Sequence, residues 1–240
     1  MKTILKQIAK KVPFSKSIYR LLKDILLKSK TVEKKFGHIH KNNLWGGVSS
    51  VSGQGSDLDQ TDTIIKELPV LFEELNISSI LDIPCGDFNW MKKINLNNIQ
   101  YIGADIVKEI INNNKKIYEK DNISFQHLNI IKDQLPKVDL LLVRDCLVHF
   151  SYDDIFEALN NICDSGSKYL LATTFTNRQN NQNIITGEWR PLNLQLKPFY
   201  LTKPIRLINE KCTEDNMSYT DKSLGLWKIS DIATCLKKGR

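Results

Sequence analysis

The 240-residue sequence has little of what several common protein classes require. Its five cysteines are odd in number and widely spaced, without a C-x-x-C pair, so we expect neither a disulfide framework nor a zinc site, and a reducing compartment fits best. No cluster of His, Asp and Glu has metal-ligand spacing, and we expect no bound metal. Lysines interrupt the apolar stretches near the N-terminus, so we predict neither a signal peptide nor a transmembrane helix.

Basic residues are concentrated at the N-terminus. The chain carries a net charge of +7, but residues 1–35 alone hold eleven Lys and Arg against two acids, which leaves a near-neutral body. A near-neutral body argues against a nucleic-acid partner. Between Ile4 and Leu27, apolar residues at helical spacing predict two amphipathic helices. These helices either dock on an anionic membrane surface or partner, or pack on the protein's own body.

We therefore divide the chain into a basic helical extension, residues 1–35, and a catalytic domain, residues 36–240. In the domain, a helix capped by Asp59 or Thr61 precedes an alternation of apolar runs and helical stretches. The runs are SILDI, YIGADI, ISFQHLN, DLLLVRD and KYLLATTF, and the helices are predicted at 88–94, 107–118 and 153–162. PIRLINEKC and KSLGLWKIS follow as strands without a helix between them. This pattern predicts a doubly wound α/β fold with a mostly parallel seven-stranded sheet and a closing antiparallel strand.

Two strand ends carry the residues of a nucleoside site. Asp82 is followed by a tight turn in which Gly86 lets a ligand approach the backbone, and Asp105 ends the next strand about twenty residues later. A carboxylate in that position can hold ribose hydroxyls. A pyrophosphate cofactor is disfavoured because the turn has one glycine and Pro84 removes an amide donor. The alternative is that both acids only cap the helices that follow them.

These motifs resemble class I S-adenosylmethionine-dependent methyltransferases. The resemblance lies in LDIPCGDFNWM, YIGADIV, RDCLVHFS at 144–151 and the C-terminal LGLW, and it runs from about Phe36 to Lys228. A subgroup associated with bacterial surface-polysaccharide biosynthesis also carries an upstream W-G…S-G-x-G-S…T segment, here Trp45-Gly46, residues 52–56 and Thr61. The resemblance implies a cytoplasmic Rossmann-like enzyme that uses S-adenosylmethionine and releases S-adenosylhomocysteine.

The resemblance also implies roles for individual residues. Asp82, Cys85 and Gly86 would line the methionine part of the cofactor, Asp105 would hold the ribose, and Ile106 would flank the adenine. Asn129 stands where the class often has an acid near the adenine amine, which departs from the family pattern. The remaining cofactor-binding candidates are Trp45, Thr61 and Arg144. We expect the polar loop that contains Trp45 to close over a ligand.

The acceptor site is expected after the fourth predicted strand. His149 is a candidate general base because imidazole has a suitable pKa, or it is a structural histidine. Asp145 would orient His149 or bind the acceptor, whereas His38, His40 and His127 have no such placement. In the loop at residues 176–193, Arg178, Trp189 and Arg190 would engage a sugar, phosphate or carboxylate, unless the loop is only an ordered surface.

The acceptor class follows from the resemblance and from one missing motif. RDCL is not the Asn/Asp-Pro-Pro-Tyr-like element of nucleobase-methylating enzymes. We therefore expect O-methylation of a sugar, sugar phosphate or nucleotide sugar, in the cytoplasm or peripherally at the inner face of the membrane. Two alternatives remain, a module that binds S-adenosylmethionine without turnover and a membrane-docked interaction protein.

Overall fold

The computed structural model describes residues 31–238, and within them one seven-stranded sheet organises the chain. The strands are β1 (Ser79–Asp82), β2 (Gln100–Asp105), β3 (Ile123–His127), β4 (Leu140–Val143), β5 (Tyr169–Phe175), β6 (Arg206–Asn209) and β7 (Lys222–Lys228). Their order is β3-β2-β1-β4-β5-β7-β6. Strands β1 to β5 pair in parallel, while β7 is antiparallel to both β5 and β6. The predicted mostly parallel sheet with a closing antiparallel strand is confirmed.

Helices cover both faces of the sheet. They are α1 (Val32–Lys41), α2 (Leu58–Glu74), α3 (Lys108–Tyr118), α4 (Tyr152–Asp164) and α6 (Ile229–Lys238), while α5 (Glu214–Met217) is a short turn in which Asp215 and Asn216 have left-handed backbone angles. Successive side chains of the buried strands point to opposite faces, so Leu140 packs with α2 in one core and Leu141 packs with α4 in the other. This two-sided burial explains why the parallel strands are apolar throughout.

The region after β1 differs from the helix predicted at 88–94. It forms a turn followed by a single 3₁₀ turn at Met91–Lys93. Phe88 has a left-handed φ of 59°, which an α-helix does not permit. Its ring packs against Tyr101, Tyr118 and Phe125 at centroid distances of 5.2 to 5.3 Å. The prediction was wrong here because tertiary aromatic packing holds the backbone out of the helical region.

Two helix ends also differ from expectation. Helix α2 begins at Leu58 with Asp57 in the cap position, rather than at Asp59 or Thr61. Helix α6 was not anticipated and directly follows β7. Helix α1 begins with Thr31 as its cap and runs across the boundary predicted between residues 35 and 36. The two amphipathic helices predicted between Ile4 and Leu27 lie outside the described residues.

The strand order reverses at β1, which lies between β2 and β4. From β1 the chain continues to β2 on one side of the sheet, whereas from β4 it continues to β5 on the other side. A crevice therefore opens at the carboxyl ends of β1 and β4. None of the helices within residues 31–238 combines the length and apolarity needed to cross a bilayer.

Candidate active site

A cavity of about 480 Å³ occupies the crevice at the carboxyl ends of the strands. The half beside β1, β2 and β3 is here called the cofactor half, because the sequence predicts the cofactor there. It is lined by residues of α1, α3, these strands and the turns after them: Val32, Phe36, His40, Asp82, Ile83, Pro84, Cys85, Gly86, Asp105, Ile106, Val107, Ile110, Leu128, Asn129 and Ile130. The other half is here called the acceptor half, because the sequence predicts the acceptor there. It is lined by Trp45 and Trp90 and by residues near β4, β5 and β7: Arg144, Asp145, Cys146, His149, Phe150, Phe175, Trp189, Glu214, Asp215, Tyr219 and Lys222. Residues 51–56 border both halves.

Two buried carboxylates face the cofactor half. Burial raises the pKa of Asp82 to about 7. The hydrogen bond that Asp82 accepts from the Tyr101 hydroxyl at 2.6 Å acts in the opposite direction and lowers this pKa. Burial likewise raises the pKa of Asp105 to about 6, although Asp105 accepts the backbone N–H groups of Gly86 and Val107. Carboxylates at such raised pKa values favour a cationic or hydrogen-bonding ligand, because the ligand would stabilise their charged forms.

The turn after β1 brings a loop over the cofactor half. Gly86 has a φ of 54°, and a Cβ at this position would lie 2.2 Å from Ser52 Oγ. Ser52 Oγ accepts the Asp87 N–H, and Asp87 in turn accepts from the Val51 N–H and the Ser50 hydroxyl. Only glycine allows this contact at Gly86. The expectation that the loop around Trp45 closes over a binding site agrees with this geometry.

Helix α1 forms the outer wall of the cofactor half. Val32, Phe36 and His40 are spaced four residues apart and all line the cavity. His40 Nδ1 is buried without a hydrogen-bond partner within the described residues. His40 was set aside as a candidate base at the acceptor site, and its place in the wall of the cofactor half comes from α1, whose position in the fold the sequence did not show.

Four charged side chains form a network in the acceptor half, here called the ion network: the buried Arg144, Glu210 and Lys222 and the half-buried Asp145. Arg144 donates to Glu210 at 2.6 Å and to the Gly55 carbonyl at 2.7 Å, and Lys222 donates to Asp145 at 2.7 Å. Burial alone would raise the pKa of Asp145, but Lys222 and Arg144 hold this pKa low, at about 2. Asp145 is therefore an anion at neutral pH.

His149 lies in the 3₁₀ turn Leu147–His149 that follows β4. Its Nδ1 is 2.9 Å from the Glu188 carbonyl, which can only accept, so Nδ1 carries the proton and Nε2 keeps its lone pair. Burial lowers the pKa of His149 to about 4. The ring stacks on Trp45 at a centroid distance of 4.8 Å. The Glu188 carbonyl, rather than Asp145, therefore orients the imidazole, which is neutral at physiological pH.

Trp189 lies in an aromatic wall with Phe175 and Tyr219. The Trp189 and Tyr219 rings are 4.9 Å apart, and Phe175 is about 6 Å from each of them. Arg178 was expected to bind the acceptor, but it does not line the cavity. Its guanidinium lies over the Phe175 and Tyr219 rings and binds the Asp221 carboxylate at 2.6 Å. Arg178 therefore supports the aromatic wall.

Arg190 does not line the cavity either. Its guanidinium donates to the backbone carbonyls of Leu147 and Phe150, both at 2.8 Å, and to the Gln182 carbonyl at 3.2 Å. The two nearer carbonyls flank His149. The sequence predicted that this charged loop lies at the ligand-binding edge of the sheet. In the fold, however, the Arg190 guanidinium donates to backbone carbonyl oxygens. Arg190 holds the His149 turn in place instead of reaching a ligand.

Thr61, a predicted cofactor-binding residue, lies inside α2 and outside the lining of the cavity. Its hydroxyl donates to the Asp57 carbonyl at 3.0 Å, an internal bond of the helix start. The cavity does bring together the other predicted cofactor residues: Trp45, Asp82, Cys85, Gly86, Asp105, Ile106, Asn129 and Arg144. Burial raises the pKa of the Cys85 thiol well above its usual range, so Cys85 lines the site as a neutral side chain.

Several lining residues had no sequence signal that we recognised. Lys222 and Glu214 precede or begin the last strand, and their position beside β4 depends on β7 being inserted between β5 and β6. A lysine at the start of an otherwise apolar strand was the available hint. Within residues 31–238, no group of three or more His, Cys, Asp or Glu is arranged to hold a metal ion.

Solved structures match the chain, whereas no protein-family model and no curated protein sequence does. The methyltransferase domain of bacterial CtHen1 (CtHen1-C) matches with a TM-score of 0.52 and 13% identity, covering 72% of this chain and 98% of that domain. Human N-acetylserotonin methyltransferase, solved in complex with SAM, matches with a TM-score of 0.50 and 11% identity, covering 80% of this chain and 65% of that one.

The chain has the class I methyltransferase fold. At these identities the likeness concerns the fold alone. In this methyltransferase fold, the cavity lies where ligands of doubly wound sheets bind, at the reversal of the strand order.

If Arg190 is a structural residue, Arg190→Met should lower the free energy of unfolding by about 2–4 kcal/mol, because it leaves buried carbonyls unpaired. Arg206→Met is the matched control, since the Arg206 side chain forms an exposed ion pair with Glu74 at 3.6 Å and its loss should cost less than about 1 kcal/mol. Urea denaturation measures both. An Arg190 variant as stable as the control would contradict the structural assignment.

Proposed function

We propose that this chain binds S-adenosylmethionine in the cofactor half and transfers its methyl group to a hydroxyl of a small polar acceptor in the acceptor half. One observation carries the proposal. Asp82 and Asp105 are buried carboxylates at neighbouring strand ends, beside the Gly86 turn, in a methyltransferase fold. An adenosyl group with an attached amino acid offers ribose hydroxyls and an ammonium group to such carboxylates.

The cofactor half offers polar and apolar groups of the kinds that this ligand requires. Asp105 keeps unused lone pairs for ribose hydroxyls after accepting two backbone N–H groups. Asp82 would meet the ammonium group. His40 lines the same region of the cavity. Ile106 and Leu128 supply apolar surface for a flat ring.

His149 supplies the base for the reaction. When bound, S-adenosylmethionine provides an electrophilic methyl group on a sulfonium and is released as S-adenosylhomocysteine. His149 Nε2 accepts the proton of the acceptor hydroxyl as its oxygen forms the new bond to carbon. Because burial lowers the pKa of His149 to about 4, Nε2 is unprotonated before the reaction. The anionic Asp145 then stabilises the imidazolium that forms.

The finer assignment rests on the sequence resemblance. We propose that the acceptor is a sugar of bacterial surface-polysaccharide biosynthesis, methylated on oxygen in the cytoplasm. Support within the site comes from Trp189, because an exposed aromatic ring can stack on a sugar ring. The membrane contact of residues 1–35 stays a prediction.

Calorimetric titration tests the cofactor. The protein should bind S-adenosylmethionine and S-adenosylhomocysteine, and Asp105→Asn should weaken both about 10- to 100-fold by removing a charge-assisted acceptor. Asp139→Asn is the matched control. Asp139 is a carboxylate at the opposite end of the sheet that accepts from Ser78 and Ser79, so this variant should lose stability and keep its affinity. Binding that survives unchanged in Asp105→Asn would remove the ribose assignment.

Cofactor affinity should depend on pH through Asp82. Its pKa of about 7 means that protons compete with the ligand's ammonium below this pH, so affinity rises with pH and levels off above it. A single such group makes binding about 10-fold weaker at pH 6 than at pH 8. The dissociation constant measured across this range in wild type and Asp82→Asn decides the point. The variant should show a flatter profile, and equal slopes would contradict the role of Asp82.

His149→Asn separates the base from the structural histidine. The asparagine amide can still donate to the Glu188 carbonyl but has no atom at the Nε2 position. We expect kcat to fall about 10²- to 10⁴-fold while the dissociation constant of S-adenosylhomocysteine changes little. Release of S-adenosylhomocysteine in an acceptor screen reports turnover. Full turnover by this variant would show that His149 is not the base.

A further inference from the structure

The basic side chains of the acceptor half are already paired. Arg144 donates to Glu210 through Nε and Nη2 at 3.1 and 2.6 Å, and Lys222 donates to Asp145 at 2.7 Å. Within residues 31–238, the cavity lining contains no other Lys or Arg. A phosphate group binds where several N–H donors are available. The acceptor half therefore lacks the donors that a phosphate-bearing acceptor would need.

The acceptor half contains more carboxylates than cationic side chains. Glu214 Oε2 lies 3.5 Å from Lys222 and accepts from the Cys212 thiol at 3.3 Å, which leaves most of its lone pairs unused. Asp215 follows at the exposed edge of the cavity with a left-handed φ of 50°. Since Asp145 and Glu210 already balance the two cations, Glu214 and Asp215 give this edge a negative charge. Such an edge repels an anion and attracts a cation.

The aromatic wall stands beside this acidic edge. Asp215 interacts with Tyr219, whose pKa is raised by burial and by the charge of Asp215. Trp189 is 4.9 Å from Tyr219 and 40% exposed, so part of its ring is open to a ligand. The Arg178 guanidinium already lies over the Tyr219 ring. The indole of Trp189 is therefore the ring that attracts an organic cation, and carboxylates nearby strengthen that attraction.

A second polar group, independent of the acids, points to a bound molecule. The His149 side chain is more than nine-tenths buried and lines the cavity. Its Nδ1 is engaged by the Glu188 carbonyl, and within the described residues Nε2 makes no hydrogen bond. An acceptor hydroxyl would satisfy Nε2 while the rest of the molecule extends toward Trp189.

We propose that the acceptor is a ring-bearing molecule with an ammonium group, which binds against Trp189 beside Glu214 and Asp215 while its hydroxyl reaches His149. This inference rests on the proposed function, because it names the substrate class of that same site. An amino sugar has both the ammonium group and a ring hydroxyl. A sugar phosphate or a nucleotide sugar carries an anionic phosphate, which the acidic edge would repel.

The test uses two probe series, each with a cation, a neutral molecule and an anion built on the same ring. Glucosamine, glucose and glucuronate form one, and tyramine, tyrosol and 4-hydroxyphenylacetate form the other. Calorimetry on the full chain saturated with S-adenosylhomocysteine measures their dissociation constants. We expect the cation of at least one series to bind at least about 10-fold tighter than its neutral analogue, and the anions not to bind.

Two variants test whether Glu214 and Asp215 cause the preference for the cationic probe. Glu214→Gln and Asp215→Asn should each reduce the preference for the cation at least about threefold, and asparagine tolerates the left-handed backbone at 215. Glu74→Gln, an exposed carboxylate on α2, is the matched control and should keep the preference. Tightest binding of a neutral or anionic probe, no binding of any probe, or an unchanged preference in both variants would overturn the inference. Failure to bind S-adenosylhomocysteine itself would instead overturn the proposed function.

Discussion

The ion network of Arg144, Asp145, Glu210 and Lys222 is the constraint on which the site depends. Its members come from the ends of β4 and β6 and the start of β7, so it joins both sides of β5. Buried charges are tolerated only with partners, and removing one partner leaves another charge uncompensated. Arg144 extends the network to the Gly55 carbonyl. The network thus sets the floor of the acceptor half and anchors the loop that borders it.

Two loops complete the site from opposite sides, and both converge on His149. The loop before α2 is fastened by Asp57, which accepts backbone N–H groups of Ser49 and Ser50, and by Asp87. This loop follows Trp45, which lies on one face of the imidazole. The loop after β5 supplies the Glu188 carbonyl for Nδ1 and the Arg190 guanidinium for the backbone around the ring. Backbone acceptors, rather than a carboxylate, therefore fix the tautomer and orientation of His149.

The carboxylates in the two halves of the cavity have pKa values shifted in opposite directions. In the cofactor half, Asp82 and Asp105 have pKa values raised to about 7 and 6 by burial, so a cationic ligand would complete their environment. In the acceptor half, Lys222 and Arg144 hold the pKa of Asp145 low, and this carboxylate keeps its charge. A neutral imidazole beside a permanent carboxylate can take a proton and be stabilised afterwards. The acceptor half therefore holds an unprotonated imidazole and a carboxylate that keeps its charge, whereas burial brings the pKa of both carboxylates in the cofactor half close to neutral pH.

The sequence by itself determined the alternation of apolar runs and helices, and with it the parallel sheet and the strand ends at Asp82, Asp105 and Val143. These features depend on local periodicity and on burial of both sheet faces, which leave a clear pattern in the chain. Only the tertiary structure decided where the long polar side chains point. Arg178 and Arg190 turn from the cavity to neighbouring carbonyls and Asp221, while His40 and Lys222 turn into it. Such choices depend on partners brought close by the sheet order from positions distant in sequence, and no local pattern records them.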